Sequence, residues 1–219
     1  MKNYSKLLLV AIVLLSALLA CSTAEISDEP QTITVEERVV FQDDFSDPSS
    51  GWDRVNNEEG ITDYVNGGYR FLVNVPQVDY WANPGFNYRN VVIEVDATKV
   101  GGPDDNDFGI ICRYQPTANF YFFLVSSDGF YAIGKMEEGE TIYIEPDQMY
   151  PSDVVFQGEV INHLRAECIG SRLALIVNGE LVVETEDSTF QEGDVGLIAG
   201  TFDEPGTDIR FDNFVIKEP

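Results

Sequence analysis

From Val39 onward, no window of 11 residues keeps a sustained 3.6-residue apolar period, which excludes amphipathic helices as the building blocks of this chain. Short runs rich in Val, Ile, Tyr and Phe, cut off by Gly, Asn and Asp, take their place, and that is the pattern of strands and turns. The runs predict strands over residues 39–45, 69–75, 91–100, 107–114, 120–125, 130–136 and 141–144. A second set follows over residues 161–169, 172–177, 181–185, 195–199 and 208–217. About a dozen strands in roughly 180 residues would leave a wide apolar face wet in one open sheet, so an all-β chain of two stacked sheets or a closed barrel is expected.

The turns are explicit. Asn66-Gly67-Gly68, Asp128-Gly129, Glu138-Gly139, Gly170-Ser171 and Asn178-Gly179 separate the runs. Asn178-Gly179 predicts a hairpin, because a type I′ turn needs two residues that tolerate positive φ. Alternation assigns faces. Val91, Ile93, Val95 and Ala97 share one, and Val92, Glu94, Asp96 and Thr98 share the other. In residues 120–125 both sets are apolar, so this strand is expected to be central, either covered on both sides or presenting aromatics in a groove.

Lys2 and Lys6 precede an apolar run of about 13 residues ending at Leu19, short of the roughly 20 needed to span a bilayer and fitting a signal peptide. Leu18-Leu19-Ala20-Cys21 resembles the lipobox of bacterial lipoproteins. That resemblance implies removal of residues 1–20, acylation of Cys21, and a place in the cell envelope on the extracytoplasmic face of a bacterial membrane. Residues 22–38 are polar and acidic, contain Pro30 and lack a packing period, so residues 21–38 read as lipidated cysteine and tether, with the folded domain at 39–219.

Loss of the leader would remove two lysines and no acid, taking the formal charge from −25 to −27. Such a chain is repelled by phosphates and anionic headgroups, which argues against nucleic acid and leaves the lipid as the membrane contact. With 44% hydrophobic and 12% aromatic residues it is also too apolar for a disordered acidic tail. A glycan or a surface protein is the expected partner, and a monomer the expected state. With Cys21 acylated, Cys112 and Cys168 remain, each inside a predicted strand of an exported chain, and a disulfide between them is expected.

Several motifs, in order, resemble a known fold. Phe41-Gln42-Asp43-Asp44-Phe45, Gly51-Trp52 and Asn66-Gly67-Gly68-Tyr69 are similar to the opening of concanavalin A-like jelly-roll domains, among them laminarinase-type glycoside hydrolases and the 3-keto-disaccharide hydrolase domain. Val91-Val92-Ile93-Glu94-Val95, the run from Asp107 to Arg113, the run from Asn162 to Gly170, Gly193-Asp194-Val195-Gly196-Leu197 and Phe211-Asp212-Asn213-Phe214 follow the order of the last family. The resemblance covers roughly residues 39–217 and implies a two-sheet antiparallel β-sandwich.

The activity does not travel with the fold. Laminarinase-type enzymes place two glutamates around an aspartate on one strand face, whereas this chain has Glu94-Val95-Asp96-Ala97-Thr98-Lys99 and lacks the second. The 3-keto-sugar resemblance keeps Gly109, Ile110 and Arg113 but has Phe108 where that pattern has serine. Were the chain an enzyme, Glu94, Asp96 and Arg113 would line its site. His163 alternates with Arg165 and Glu167 and is expected to face solvent. For glycan binding, the aromatic plates on offer are Tyr80, Trp81, Tyr114, Tyr121 and Tyr131. The jelly-roll resemblance also implies a structural calcium, with Asp212 on the closing strand and Asp44 and Gly68 beside it. Asp104-Asp105-Asn106-Asp107 lacks the glycine and distal glutamate of an EF-hand and reads as a solvated hairpin loop. A non-catalytic binding module is favoured over a hydrolase or lyase of 3-keto-disaccharides and over a structural or adhesive envelope protein.

Overall fold

The computed structural model describes residues 37–116 and 119–219. The predicted leader, Cys21 and nearly all of the predicted tether lie outside the described residues. Among the described residues the secondary structure is all β: fifteen strands in two antiparallel sheets, and no helix is long and apolar enough to cross a membrane.

Seven strands belong to the first half of the chain: β1 (Arg38–Asp43), β2 (Val55–Asn56), β3 (Gly60–Tyr64), β4 (Tyr69–Val73), β5 (Asp79–Ala82), β6 (Val91–Gly101) and β7 (Asn106–Gln115). Then come β8 (Asn119–Val125), β9 (Phe130–Glu137), β10 (Glu140–Pro151), β11 (Ile161–Ile169), β12 (Arg172–Val177), β13 (Glu180–Glu186), β14 (Asp194–Thr201) and β15 (Thr207–Glu218). One sheet runs β13-β12-β11-β6-β15-β4-β3-β2, and β1 pairs with residues 214–218 of β15, beyond the stretch 207–211 that pairs with β4. The other runs β10-β9-β8-β7-β14-β5.

Several departures from the expected strands have local causes. Phe45 lies at φ 55°, outside the extended region, so β1 stops at Asp43. Asp43 then caps the turn: its Oδ1 accepts from Phe45 N at 2.8 Å and its Oδ2 from Trp52 Nε1 at 3.0 Å. Strands β2, β3 and β5 carry too few apolar residues in too short a run to show an alternation. Strand β10 runs to Pro151, with register shifts between Tyr143 and Glu145 and again before Tyr150 that break its alternation. The Asn178-Gly179 hairpin forms with φ of 52° and 86°, as the turn chemistry requires.

The core lies between the sheets. Val91, Ile93, Val95 and Ala97 of β6 point into it, so the face assignment from alternation holds there. Trp52, Phe45, Tyr69 and Phe214 close one end, with Trp52 and Phe214 edge-to-face at 4.8 Å. Cys112 on β7 and Cys168 on β11 are fully buried and disulfide-bonded, and because their strands belong to different sheets the bond ties one layer to the other.

Closing a loop of 56 residues stabilises by about 4 kcal/mol in the loop-entropy account. Replacing both cysteines by alanine should lower the melting temperature by roughly 10 °C for a domain of this size. A melting curve unchanged by the double substitution would show that the bond contributes nothing.

Candidate functional site

Strand β8 is the origin of the site. Its sequence Phe120-Tyr121-Phe122-Phe123-Leu124-Val125 is buried on both faces. Tyr121, Phe123 and Val125 point into the core between the sheets. Phe120, Phe122 and Leu124 point the other way, where with Ile111 and Ile198 they form a second apolar cluster on the outward face of the six-stranded sheet. Trp81, Tyr114, Met136, Tyr143 and Met149 pack over that cluster and are only partly buried. The Trp81 and Phe120 rings are 5.4 Å apart, Tyr114 and Phe120 5.8 Å, and Tyr143 meets Phe122 edge-on at 5.9 Å. This is a layer of rings on the side of the sheet that no second sheet covers, and it can stack a flat apolar ligand face.

Glycines hollow the layer. Gly134 sits opposite Phe122, and a β-carbon there would lie 2.2 Å from the Phe122 ring. Gly200 on β14 pairs with Asp79 of β5 on one side and with Asp107 of β7 on the other. A β-carbon at Gly200 would lie 1.9 Å from Asp79 Oδ1 and 2.9 Å from Asp107 Oδ1. The two carboxyl groups therefore lean toward each other over the glycine. They sit in a cleft of about 180 Å³ whose walls include Phe122, Leu124, Met136, Tyr143 and Ile198.

Burial pushes the Asp107 carboxyl well above the usual carboxylate range, and the neighbouring Asp79 charge adds to that; burial raises Asp79 as well. Tyr143 is raised by burial and by both aspartates. Two carboxyls this close and this buried share a proton more readily than they both ionise.

Of the five proposed plates, Trp81 and Tyr114 reach this face. The other three do not, because the strand period of two sends them inward. Tyr80 is next to Trp81 and so lies on the opposite side of β5, against the core. Tyr121 is fully buried and donates its hydroxyl to Asp187 at 2.5 Å; Tyr131 packs on the core. Phe120, Tyr143 and the two aspartates were not among the expected site residues. The solvated loop expected over residues 104–107 is corrected at its end: Asn106 already belongs to β7, whose strand was expected from Asp107, and the two are buried at 0% and 4% exposure.

The hypothetical catalytic set does not converge. Glu94 and Asp96 point outward from the nine-stranded sheet into polar pairings. Glu94 Oε1 accepts from Arg165 at 2.6 Å and from Lys217 at 2.7 Å, and Asp96 is bonded to His163 Nδ1 at 2.7 Å and Asn213 Nδ2 at 2.9 Å. His163 faces outward with them. Arg113 is instead buried at 1% exposure and donates to the backbone carbonyls of Arg89, Phe190 and Gly170. Burial lowers its pKa, and it is a positioning group for loops, bonded to backbone carbonyls.

The three residues named for calcium each have contacts within the chain. Asp44 accepts from the Ser46 amide and hydroxyl, Gly68 lies under the Arg210 side chain, and Arg210 donates to Asp212 at 3.3 Å. Among the described residues no group of three or more acidic, histidine or cysteine side chains lies together.

No protein-family model matches the chain, and no curated protein matches it. Solved structures do. The carbohydrate-binding module CBM66 from Bacillus subtilis superposes with a TM-score of 0.61 at 23% identity, over 77% of this chain and 96% of that one. The catalytic domain of an endo-1,3-β-glucanase from Thermotoga petrophila gives 0.57 at 13% identity, over 83% and 98%. A β-glucanase from Bacillus licheniformis gives 0.58 at 9% identity, over 82% and 97%. At these identities the likeness establishes the fold, and the described domain is a concanavalin A-like jelly-roll β-sandwich.

The charges make a pH prediction. Asp79 and Asp107 hold a proton in the folded chain after unfolded carboxyls lose theirs near pH 4, so their effect on stability is to lower it as pH rises from about 4 through the folded value. Asp187 acts oppositely: burial pushes it up, but hydrogen bonds from Tyr121, Thr189 and Lys135 outweigh that and hold it at about 2. Its contribution is present above about pH 4 and is lost as pH falls toward 2. Thermal stability should therefore peak in mild acid, and Asp107→Asn should flatten the decline on the alkaline side while sparing the acid limb. An alkaline limb that is the same in both proteins would remove the buried acid pair from the account.

Proposed function

We propose that this chain is an envelope lipoprotein, held by an acylated Cys21 on the extracytoplasmic face of a bacterial membrane, that presents a non-catalytic glycan-binding domain. The observation that carries the reading is the ring layer of Trp81, Tyr114, Phe120 and Tyr143 on the outward face of the six-stranded sheet. A pyranose has one apolar face and a rim of hydroxyls. Indole and phenol rings stack on the first, and the carboxyl groups of Asp79 and Asp107 in the adjoining cleft are suited to the second. The fold supports the same reading, since solved structures that share it include a carbohydrate-binding module and glucanases.

Hydrolysis of 3-keto-disaccharides would need Arg113 with two carboxylates around one substrate. Glu94 and Asp96 are committed to ion pairs and hydrogen bonds on the far sheet, and Arg113 to loop carbonyls, so the chain lacks that constellation.

On a glycan array, the detergent-purified full chain should retain a defined set of glycans, and Trp81→Ala should weaken the best of them at least tenfold, the loss expected when a stacking residue at the centre of a site is truncated. Retention of none, or retention indifferent to Trp81, would refute glycan binding at this face. Separately, cells fed labelled palmitate should label the wild-type protein and not Cys21→Ser; equal labelling of both would exclude the lipid anchor.

A further inference from the structure

We propose that the Asp79–Asp107 pair binds a protonated primary amine, and that the amine is carried by an amino sugar of the glycan stacked on the Trp81 face. The inference rests on the glycan-binding reading and names the class of sugar. Three observations lead to it. First, the two carboxyls come from β5 and β7 and meet over Gly200, with no side chain between them. Second, Asp107 is 4% exposed, and its Oδ1 is buried without a hydrogen-bond partner while lining the cleft. Third, among the described residues no lysine, arginine or histidine is ion-paired with either aspartate, whereas the partly buried Glu94 and Glu167 on the outer face of the other sheet each have two cationic partners. Buried charges are ordinarily paired, and this pair awaits its partner from outside the chain.

The cleft selects among cations. Calcium asks for six or more oxygen ligands, carboxylates foremost; beyond the two carboxyls the cleft offers only the neutral oxygens of Gln77, Thr141, Tyr143 and Thr201, and among the described residues no third acidic side chain joins the pair. An ammonium group needs only three acceptors. Asp79 and Asp107 provide two, and Tyr143, which lines the same cleft, can provide a third through its hydroxyl. The rings of Phe122 and Tyr143 also favour a cation. A cleft of about 180 Å³ has room for about six water molecules, enough for the edge of one sugar ring. A uronic acid or sulfated sugar is excluded by like charge. A neutral sugar would satisfy hydroxyls but leave the negative charge of the pair uncompensated.

The proton balance follows. Burial raises both carboxyls, which favours their protonated forms, and a bound ammonium favours their ionised forms, so binding releases proton to solvent to the extent that the free pair is protonated. Tyr143 on β10 is the other titratable group that lines the cleft, and Gln77, Thr141 and Thr201 in the lining are neutral. Affinity for the amine should therefore rise with pH until the amine itself deprotonates.

The test is titration calorimetry on the detergent-purified full chain with three tetrasaccharides of one linkage: a glucosamine tetramer, its N-acetylated form, and the glucose tetramer. The glucosamine tetramer should bind at least tenfold more tightly than the other two, with proton release read from buffers of different ionisation enthalpy. Asp107→Asn should reduce that preference to threefold or less. Gly200→Ala keeps both acids and drives a methyl group between them, and should do the same; melting curves would establish that both variants are folded. Asp96→Asn, on the other sheet, should keep the preference. Glucosamine tetramers binding no better than glucose tetramers, or not at all, or a preference that survives Asp107→Asn, would overturn the inference. Retention of any glycan that Trp81→Ala abolishes would leave the broader glycan reading standing in that event, and its absence would remove both.

Discussion

Burial of β8 on both faces is the constraint around which the rest of the domain is arranged. A strand reading Phe-Tyr-Phe-Phe-Leu-Val has no polar side to offer water, so one set of its side chains must be covered by the second sheet and the other by something else. The first requirement builds the sandwich core, into which Tyr121 and Phe123 project beside the Cys112–Cys168 bond. The second is met by the sheet's own neighbours. Trp81 from β5, Tyr114 from β7, Met136 from β9 and Tyr143 from β10 fold over the outward rings, with Gly134 giving Phe122 the space to lie flat. Burying each large side chain contributes about 1.5–3 kcal/mol, so the ring layer stabilises the sheet as well as offering a surface.

The nine-stranded sheet solves its outer face differently. There the outward residues are charged, and they are joined pairwise across strands: Glu94 on β6 to Arg165 on β11 and Lys217 on β15, and Glu167 to both Arg165 and Arg172. Hydrogen bonds from Lys217 and Arg165 hold the Glu94 carboxyl below its ordinary value although burial pushes it up. A carboxylate so engaged is a poor base, and its chemistry is spent on holding three strands in register. The two sheets thus divide the work, one by ion pairs facing solvent and one by aromatics that stay partly open.

Much of this was legible in the sequence. The strand-and-turn rhythm gave the sandwich, and alternation in β6 gave the correct buried face, because a regular strand has a fixed period. Asn178-Gly179 announced its hairpin, and two cysteines inside predicted strands announced their bond. Legibility failed where regularity does. Strand β5 is four residues long, so Tyr80 and Trp81 looked like a joint aromatic motif when the pleat turns them to opposite sides of a sheet. Asp107 stands where the acidic run 104–107 meets the strand predicted over 107–114, and nothing local shows that β14 passes beside it with a glycine. The pairing of Asp79 with Asp107 joins positions brought together by a third strand, and single-sequence reasoning has no access to such register.

Arg113 shows one more property of this architecture. Its guanidinium gathers the carbonyl oxygens of Arg89, Phe190 and Gly170, which belong to three separate connections at one end of the sandwich. None of those acceptors titrates, and the burial that shields the group keeps counterions away from it. Ion pairs such as Arg38 with Glu218 on the exposed surface weaken as salt rises and carboxylates protonate. The knot at Arg113 is indifferent to both. For a domain this acidic, one end of the fold is fastened by a contact that the salt and acidity of the surrounding solvent do not reach.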